Sequence, residues 1–558
     1  MVHQFHLEAD IGQTWRLDRL VCVYTSREME RPAEAALAQL HRLLAEGGVP
    51  AVIDVHRRAW DERWRGADVQ VEGDPEAQRA LRFALYHLIS AANPEDERVS
   101  VGARALTGKA YKGHVFWDTE IYLLPFYTFT HPPTSRALLT YRYHTLPAAR
   151  NKASALGYRG ALYAWESADD GRETTPTVVL TPAGEVVHIL TGAQEHHISA
   201  DVAYAVWHYW QATGDDAFFL DLGAEILLET ARFWASRGQL GPDGRYHITQ
   251  AIGPDEYHEG VDDNAYTNVM AQWNLERGAE AVRLLQERWP QRGVEILARL
   301  QVEPGEPEQW LAVAQSLYTG FDPRTGLFEQ FRSYFDLESV DLAAYEPRTA
   351  PMDVLLGRQR TQRSQVIKQA DVVMLLALLW ERLPPSVREA NFRYYEPRTA
   401  HGSSLSPAVH ALVAARLGDV DLAERYFRQG ASIDLPNNMG NAAGGVHIAA
   451  LGGLWQAAVL GYAGMALWPD GLAFAPNLPK AWRQLRFPVR WRGRALTVTL
   501  SRDPRTLAVE LMGPGSMTVA VLGGPQVTAV PGRRYRVSWK DDGWGAWQEV
   551  QYAGPEAP

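Results

Sequence analysis

Residues 372–380, with the sequence VVMLLALLW, form the longest apolar run of the chain, and Asp371 and Glu381 bound it. A transmembrane helix needs about 20 apolar residues, so this run is about half a span. The stretch therefore predicts a buried helix of a water-soluble protein rather than a membrane span.

Apolar residues recur at helical spacing on both sides of this run, from about residue 76 to residue 465. Long loops with Gly, Pro, Asp and aromatic residues separate the segments, and no short solenoid repeat is visible. The pattern favours a closed double ring of helices, an α/α barrel, although periodicity alone does not establish closure. The predicted helices include residues 77–91, 200–213, 224–237, 268–288, 371–383, 408–417, 422–429 and 446–460.

Segments of different character flank the helical region, 76–465. Residues 15–24 read as a strand, so residues 1–26 are predicted to be residual β-strands, and residues 27–75 a helical linker. After Pro469, short β-type runs alternate with Gly, Pro and Asp turns, which predicts a small β-sandwich domain over 466–558. The predicted strands are residues 485–491, 495–500, 507–511 and 517–522.

Composition excludes several classes of protein. A chain of 558 residues is too long for one ordinary core, which predicts two or more domains. A net charge of −11 argues against a nucleic-acid-binding surface. The single cysteine, Cys22, excludes an intrachain disulfide and argues against a cysteine metal site. A single cysteine fits a reducing compartment, and the N-terminus has no signal-peptide pattern, so the sequence predicts a cytoplasmic location.

The motif at residues 253–259, GPDEYHE, places three carboxylates and a histidine within seven residues. The Gly-Pro pair breaks a helix, so the acids lie on a loop, where scaffolds present catalytic groups. Such a heptad alone is most often a solvated turn. In a catalytic motif, Glu256 would be the general acid for glycosidic cleavage. The charges of its acidic neighbours would raise its pKa, and Tyr257 and His258 would orient its side chain.

A second motif, GHVFWDTE at residues 113–120, sets Trp117 beside Asp118. A ring face and a carboxylate are what a sugar site needs, although a buried Trp at a helix start explains the pair equally well. The 19 Trp and 23 Tyr of the chain fit sugar binding or simple core packing. Phosphate-loop, HExxH and GxSxG motifs are absent from the sequence.

Two further motifs suit an anion. In HGSSLS, residues 401–406, the hydroxyls of Ser403 and Ser404 and free backbone N–H groups precede a helix. Such a serine pair is more often a helix N-cap. Lys368, at the start of the apolar helix, adds a point charge suited to phosphate.

Together these motifs resemble those of glycoside hydrolase family 65, which contains inverting α-glucosyl disaccharide phosphorylases (maltose, kojibiose, trehalose and related types) and a few hydrolases. The resemblance covers roughly residues 50 to 540. Its motifs are residues 102–108, 113–120, 157–161, 165–167, 253–259, 368–371, 401–406 and 445–447.

The resemblance implies an (α/α)6 barrel with a C-terminal β domain. It also implies roles for eight residues: the general acid is Glu256, the substrate-binding residues are Trp117, Asp118, Lys368 and Gln369, and the phosphate-binding residues are Ser403, Ser404 and His447.

The implied reaction is phosphorolysis of an α-glucosidic disaccharide to β-glucose 1-phosphate and an acceptor sugar. Inorganic phosphate is the co-substrate, and no metal or organic cofactor is expected. Two alternatives stay open: an inverting hydrolase on the same fold, which needs a second carboxylate to activate water, and a catalytically impaired sugar-binding protein. Linkage, acceptor and oligomeric state stay open too, a homodimer being one alternative.

Two departures from the family pattern affect these expectations. Family members carry a large N-terminal β-sandwich domain, whereas this chain has about 26 residues before its helical linker, so most of that domain is expected to be lacking. Residues 173–197 form a longer segment than in the maltose phosphorylase pattern. We expect that segment to border the acceptor subsite.

Overall fold

The computed structural model of the protein describes residues 4–180, 184, 186–348, 350–540 and 542–550. The ends of the two predicted terminal segments, residues 1–3 and 551–558, lie outside this range. The chain divides into two compact units, Met1–Gly66 and Ala67–Pro558.

The first unit contains helix α1 (Pro32–Ala45) and most of helix α2 (Gly48–Ala67). Described residues 4–31 form turns and extended backbone without a helix or strand, so the strand expected over residues 15–24 is not formed. Its apolar side chains, such as Trp15, Leu17 and Val23, are exposed. A strand without a neighbour to pair with has no ladder of hydrogen bonds and no face to bury.

The second unit is built mainly from helices. They are α3 (Pro75–Ala91), α4 (Leu124–Thr130), α5 (Pro132–His144), α6 (Leu146–Ala155), α7 (Thr191–Gln194), α8 (Ile198–Thr213), α9 (Asp216–Phe218), α10 (Ala224–Arg237), α11 (Ala265–Arg288), α12 (Pro290–Arg299), α13 (Glu306–Ser316), α14 (Met352–Leu356), α15 (Arg358–Gln362), α16 (Val372–Leu378), α17 (Pro385–Tyr395), α18 (Ser406–Leu417), α19 (Val420–Ala431) and α20 (Ile448–Gln456). A π-helical turn, Thr119–Leu123, leads into α4, and another, Ala457–Tyr462, follows α20.

Six of these helices close into an inner ring. Helices α4, α8, α11, α16, α18 and α20 each pack against the next, and α20 returns to α4. Helices α5, α10, α13, α17, α19 and α3 pack outside them. The apolar run that begins at Val372 forms α16, and its residues Val372–Leu376 are buried. This double ring is the predicted (α/α)6 barrel, and the expected fold class is confirmed.

The difference between the rings follows from the sequence pattern. Inner helix α20 is buried on every side over Ile448–Trp455, because its sequence is apolar or small throughout. Outer helix α19 buries only Leu422, Ala423, Phe427 and Gly430, one stripe at helical spacing.

The C-terminal part folds into two packed sheets. The strands of the described chain are β1 (Gln70–Glu72), β2 (Val178–Leu180), β3 (Val186–His188), β4 (Gln239–Leu240), β5 (Tyr246–His247), β6 (Phe321–Asp322), β7 (Leu327–Phe328), β8 (Ala466–Trp468), β9 (Gly471–Phe474), β10 (Gln484–Trp491), β11 (Arg494–Ser501), β12 (Thr506–Met512), β13 (Met517–Val521), β14 (Gln526–Ala529), β15 (Arg534–Lys540), β16 (Gly543–Trp544) and β17 (Gln548–Val550). One sheet has the order β1-β10-β11-β12-β15-β16, with β17 on β15, and the other β14-β13-β9-β8.

The register of these sheets buries one face of each strand. In β10, Leu485, Phe487, Val489 and Trp491 are buried and alternate with more exposed residues. Strand β1, inside the segment predicted as a helical linker, pairs antiparallel with β10 and forms one edge of the larger sheet. The second unit thus takes its first strand from the segment that precedes the barrel.

Candidate active site

The loops that precede the inner helices meet at one end of the ring and enclose a cavity of about 290 Å³. Each inner helix turns its N-terminus toward this end, where free backbone N–H groups favour negative charge. Seven of the eight predicted site residues line the cavity: Trp117, Asp118, Glu256, Lys368, Ser403, Ser404 and His447.

Gln369 does not line the cavity. Its side chain is buried, and Nε2 donates to the carbonyl of Pro254 at 2.6 Å. Because that carbonyl lies two residues before Glu256, Gln369 supports the loop of the candidate acid. Its Oε1 is buried without a hydrogen-bond partner among the described residues.

Glu256 and Lys368 form an ion pair inside the cavity, with Nζ 2.9 Å from Oε1. Burial opposes the charge of Lys368, but the Glu256 carboxylate more than offsets this and raises the lysine pKa. Both side chains keep about a quarter to a third of their surface accessible. The pair therefore faces the space where a ligand would lie.

Asp255 organises the loop around the acid. It accepts hydrogen bonds from His258 Nδ1 at 2.6 Å, from the backbone N–H of Lys368 at 2.8 Å and from Gln330 Nε2 at 2.9 Å. Burial would lower the pKa of His258, but the Asp255 carboxylate raises it. His258 thus contacts Asp255 rather than the acid that sequence reasoning expected it to orient. Tyr257 likewise donates to Asp353, at 3.1 Å.

A buried carboxylate also fixes the start of the heptad. Asp371 Oδ2 accepts from the backbone N–H of Asp255 at 3.3 Å and from Asn264 Nδ2 at 3.1 Å. A Cβ at Gly253 would lie 2.5 Å from that oxygen and 2.4 Å from Asn264 Nδ2, so only glycine fits there. Burial and the neighbouring Asp255 charge raise the pKa of Asp371 to about 7.

Trp117 and Asp118 form one wall of the cavity, at the start of the π-helical turn before α4. Trp117 is almost fully buried and packs edge-on against His197, with ring centroids 4.9 Å apart. No side chain of the described residues donates a hydrogen bond to the Asp118 carboxylate. Burial, with Glu120 and Glu256 nearby, raises the pKa of Asp118 to about 7. A carboxylate that receives no hydrogen bond from a protein side chain can accept hydrogen bonds from the hydroxyls of a sugar.

Ser403, Ser404 and His447 lie at the entrance to helices α18 and α20. Ser403 Oγ accepts from the backbone N–H of Leu405 at 3.2 Å, whereas the Ser404 hydroxyl has no partner among the described residues. His447 contacts Asp434 through Nδ1 at 2.7 Å and through its backbone N–H at 2.9 Å. The carboxylate holds a proton on Nδ1, which leaves Nε2 for a ligand.

Backbone pairing brings the lysine and serine loops together. The N–H of Gly402 donates to the carbonyl of Lys368 at 2.9 Å, and Ile367 bridges to Thr399 in parallel. The two candidate anion-binding motifs are therefore held side by side, although about 35 residues separate them in sequence.

A further part of the cavity wall contains Trp165, Glu166, Ile189 and Thr191. Glu166 contacts His114 Nδ1 at 2.8 Å, and burial raises its pKa. Glu173 accepts the backbone N–H groups of Trp165 and Glu166 at 2.9 and 3.2 Å. Segment 173–197 thus reaches the cavity.

Sequence reasoning missed two residues at this site. Arg104 lines the cavity as a second cation, and its Nη1 donates to the carbonyl of Gly445 at 2.8 Å. Glu195 is fully buried behind the cavity, 3.4 Å from His197 Nε2, and burial raises its pKa well above the ordinary value. Arg104 lies in a quoted family motif, and Glu195 lies in segment 173–197, but neither residue was singled out there.

The described residues contain no group of three or more His, Cys, Asp or Glu side chains arranged to hold a metal ion. None of the helices in the described part of the chain is both long enough and apolar enough to cross a bilayer.

Comparison with known proteins identifies the family. The model of the glycosyl hydrolase family 65 central catalytic domain matches residues 82–456, and that of the family's C-terminal domain matches residues 465–528. The chain belongs to glycosyl hydrolase family 65. Within this family, the central-domain match covers all six inner helices and the cavity.

Curated members of family 65 align over most of the chain. A kojibiose phosphorylase from Thermoanaerobacter brockii is 40% identical over 526 residues, which cover 94% of this chain and 68% of that protein. An α,α-trehalose phosphorylase from the same organism is 35% identical, over 89% of this chain and 63% of that protein. The chain therefore spans about two thirds of the length of these relatives.

A solved structure supports the fold assignment. A protein from the human microbiome, provisionally described as a kojibiose phosphorylase, superposes with a TM-score of 0.83 at 26% identity, over 91% of this chain and 72% of that one.

The model of the family 65 N-terminal domain matches residues 1–63. The N-terminal domain is therefore present over residues 1–63, which corrects the expectation that about 26 residues before the linker are all that the chain has of it.

Proposed function

We propose that the protein catalyses inverting phosphorolysis of an α-glucosidic disaccharide to β-glucose 1-phosphate and an acceptor sugar. The observation that carries this proposal is the ion pair of Glu256 and Lys368 in one cavity with Trp117, Asp118 and the Ser404 hydroxyl. A proton donor, a sugar-binding wall and an anion-binding loop are the three parts that this reaction requires. The names of the curated relatives agree with it.

In the proposed reaction a phosphate oxygen attacks the anomeric carbon of the glucosyl unit, and the bond from that carbon to the glycosidic oxygen breaks. Glu256 gives its proton to the leaving oxygen, and attack from the opposite face converts the α configuration to β. Trp117 and Asp118 would hold the glucosyl ring, and the wall with Trp165 and Glu166 would face the acceptor. Of the predicted substrate ligands, Gln369 would act only by supporting the loop.

Phosphate would bind between Lys368, Ser403, Ser404 and His447, with Arg104 as a further cation. Charge-assisted hydrogen bonds from such groups, added to two helix N-termini, suit a divalent anion. Phosphate would also compete with Glu256 for the Lys368 ammonium and so free the acid to reach the glycosidic oxygen.

An inverting hydrolase is the second candidate, because the cavity contains a carboxylate without a side-chain partner, Asp118. A hydrolase would use it as the base that activates water. Glu195 is not placed for this role, since it lies buried behind the cavity and does not line it.

The test is phosphate release from β-glucose 1-phosphate with a panel of acceptor sugars, together with the reverse reaction on kojibiose, trehalose and maltose. We expect turnover in both directions, strict dependence on phosphate in the reverse direction, and loss of both in Glu256→Gln. Glucose release from the disaccharides at the same rate without phosphate would refute phosphorolysis and support the hydrolase. Glucose binding without turnover, unchanged in Glu256→Gln, would support the impaired sugar-binding protein.

A further inference from the structure

A second cavity, of about 510 Å³, lies inside the same ring of helices. All six inner helices line it with residues that lie further along each helix than those at the candidate active site. Tyr122 belongs to its wall and packs edge-on against Trp117, with ring centroids 5.6 Å apart. One aromatic pair therefore separates the two cavities.

The wall of this cavity is aromatic, with Tyr204, Trp207 and Trp273 among its side chains. Tyr204 and Trp273 are adjacent, with ring centroids 5.4 Å apart. Rings of this kind give an apolar surface to the C–H faces of a sugar, while their polar edges remain available for hydrogen bonds.

Several donor atoms on otherwise buried side chains of this wall have no partner. The Tyr122 hydroxyl and the indole N–H groups of Trp207 and Trp273 make no hydrogen bond within the described chain, and all three side chains are more than nine-tenths buried. His208 also lines the cavity without a hydrogen bond to the described residues, and burial lowers its pKa to about 4, so it is neutral. These donor atoms remain accessible, so a ligand with oxygen acceptors can pair with them.

The charged groups of the cavity are already compensated. Arg277 forms an ion pair with Glu280. Arg416 donates to the backbone carbonyl of Leu460 at 2.9 Å, and its charge is opposed by that of Glu381, which also lines the cavity. Arg382 pairs with Glu276 at 2.7 Å. Since each of these three cations has an acidic side chain nearby, the wall has no uncompensated positive charge for an anion, and a neutral ligand fits it better.

We propose that this cavity is a second binding site, for an uncharged mono- or disaccharide, distinct from the candidate active site. The proposal rests on the aromatic wall and the unpaired donors, and it stands whether or not the first cavity performs phosphorolysis.

The experiment counts sugar molecules bound per chain by equilibrium dialysis with labelled D-glucose. We expect two sites in the wild-type protein. Ala377→Phe, which adds an aromatic ring to the wall of the second cavity and narrows it, should leave one site and an unchanged kcat/KM. Trp273→Phe, which keeps the ring and removes the donor, should weaken the second site about five- to tenfold, the loss of one hydrogen bond. Inorganic phosphate should not displace sugar from this site.

An equal number of bound glucose molecules in the wild-type protein and in Ala377→Phe, or displacement of sugar from the second site by phosphate, would overturn the proposal. Should Ala377→Phe fail to fold, hydrogen exchange on the wild-type protein decides. Glucose should then slow exchange at residues 372–382 even in Asp118→Ala, in which the first site is damaged, and unchanged exchange there would refute the second site.

Discussion

Replacing Asp118 by Asn should stabilise the ligand-free protein, and the gain should grow with pH. The reason is that burial raises the pKa of this carboxyl from an ordinary 3.8 to about 7. The folded state therefore holds its proton over a pH range in which the unfolded chain has released it. A raised carboxyl pKa reduces stability above the unfolded value, and the loss is complete once the pH exceeds the folded value.

The size of the effect follows from the two pKa values. Linkage gives a penalty of about 2 kcal/mol at pH 5 and about 4 kcal/mol at pH 8 for a single group shifted by this amount. Asn keeps the shape of the side chain and cannot ionise. The difference in unfolding free energy between Asp118→Asn and the wild type should therefore be about 2 to 3 kcal/mol larger at pH 8 than at pH 5.

The assay is urea denaturation of both proteins across this pH range, followed by circular dichroism at a helical wavelength. Asp169→Asn, which removes an exposed carboxylate from the same region, is the matched control and should show a difference that does not change with pH. If the Asp118→Asn difference is as flat as that of the control, the carboxyl is not held protonated by burial and the reasoning fails. Weaker glucose binding by the same variant would show that the charge is kept for the ligand.

Three further substitutions test the site and its support. Glu256→Gln should lower phosphorolysis about 100-fold or more with unchanged helical content, because the proton donor is lost; a near-normal rate would place the acid elsewhere. Asp255→Asn should misplace the loop of the acid, because the amide cannot accept all three hydrogen bonds that the carboxylate accepts. We expect kcat to fall about 100-fold and the pH–rate profile to shift. An unchanged pH–rate profile would contradict this positioning role of Asp255. Arg142→Met should destabilise the protein by about 3 to 5 kcal/mol in urea denaturation, because it leaves Glu120 buried without a partner. Adding Glu120→Gln should recover part of that loss, and no recovery would argue against the uncompensated charge.

The elements of the fold could be predicted from the sequence because their signals are local. The predicted helix 224–237 coincides with α10. Three of the four predicted strand runs fall within strands of the C-terminal sheets, and the fourth, 517–522, extends one residue beyond β13. Closure of the ring could not be predicted, because it depends on α20 meeting α4 across more than 300 residues. The pairing of β1 with β10 is equally remote in sequence.

The same distinction holds at the site. Motifs identified seven residues that line one cavity, but not which side chains contact one another. Lys368 meets Glu256 from 112 residues away, and His447 is held by Asp434, which no motif marked. His258 is close to Glu256 in sequence and yet contacts Asp255, because the loop turns it inward. Gln369 follows Lys368 directly, but its side chain points away from the cavity and donates to the carbonyl of Pro254.

The raised pKa of Asp118 destabilises the ligand-free protein, and substrate binding should remove this penalty. Sugar hydroxyls donate to the charged form of Asp118, so a bound glucosyl unit should lower its pKa from about 7. Binding must then release a proton at pH 6, and affinity should rise as the pH increases toward 7 and level off above it. Calorimetry of glucose binding in buffers of different ionisation enthalpy measures both quantities, with Asp118→Asn as the variant that should lose the proton release. Affinity that is constant from pH 5 to pH 8, with no proton released, would mean that the carboxylate does not contact the sugar.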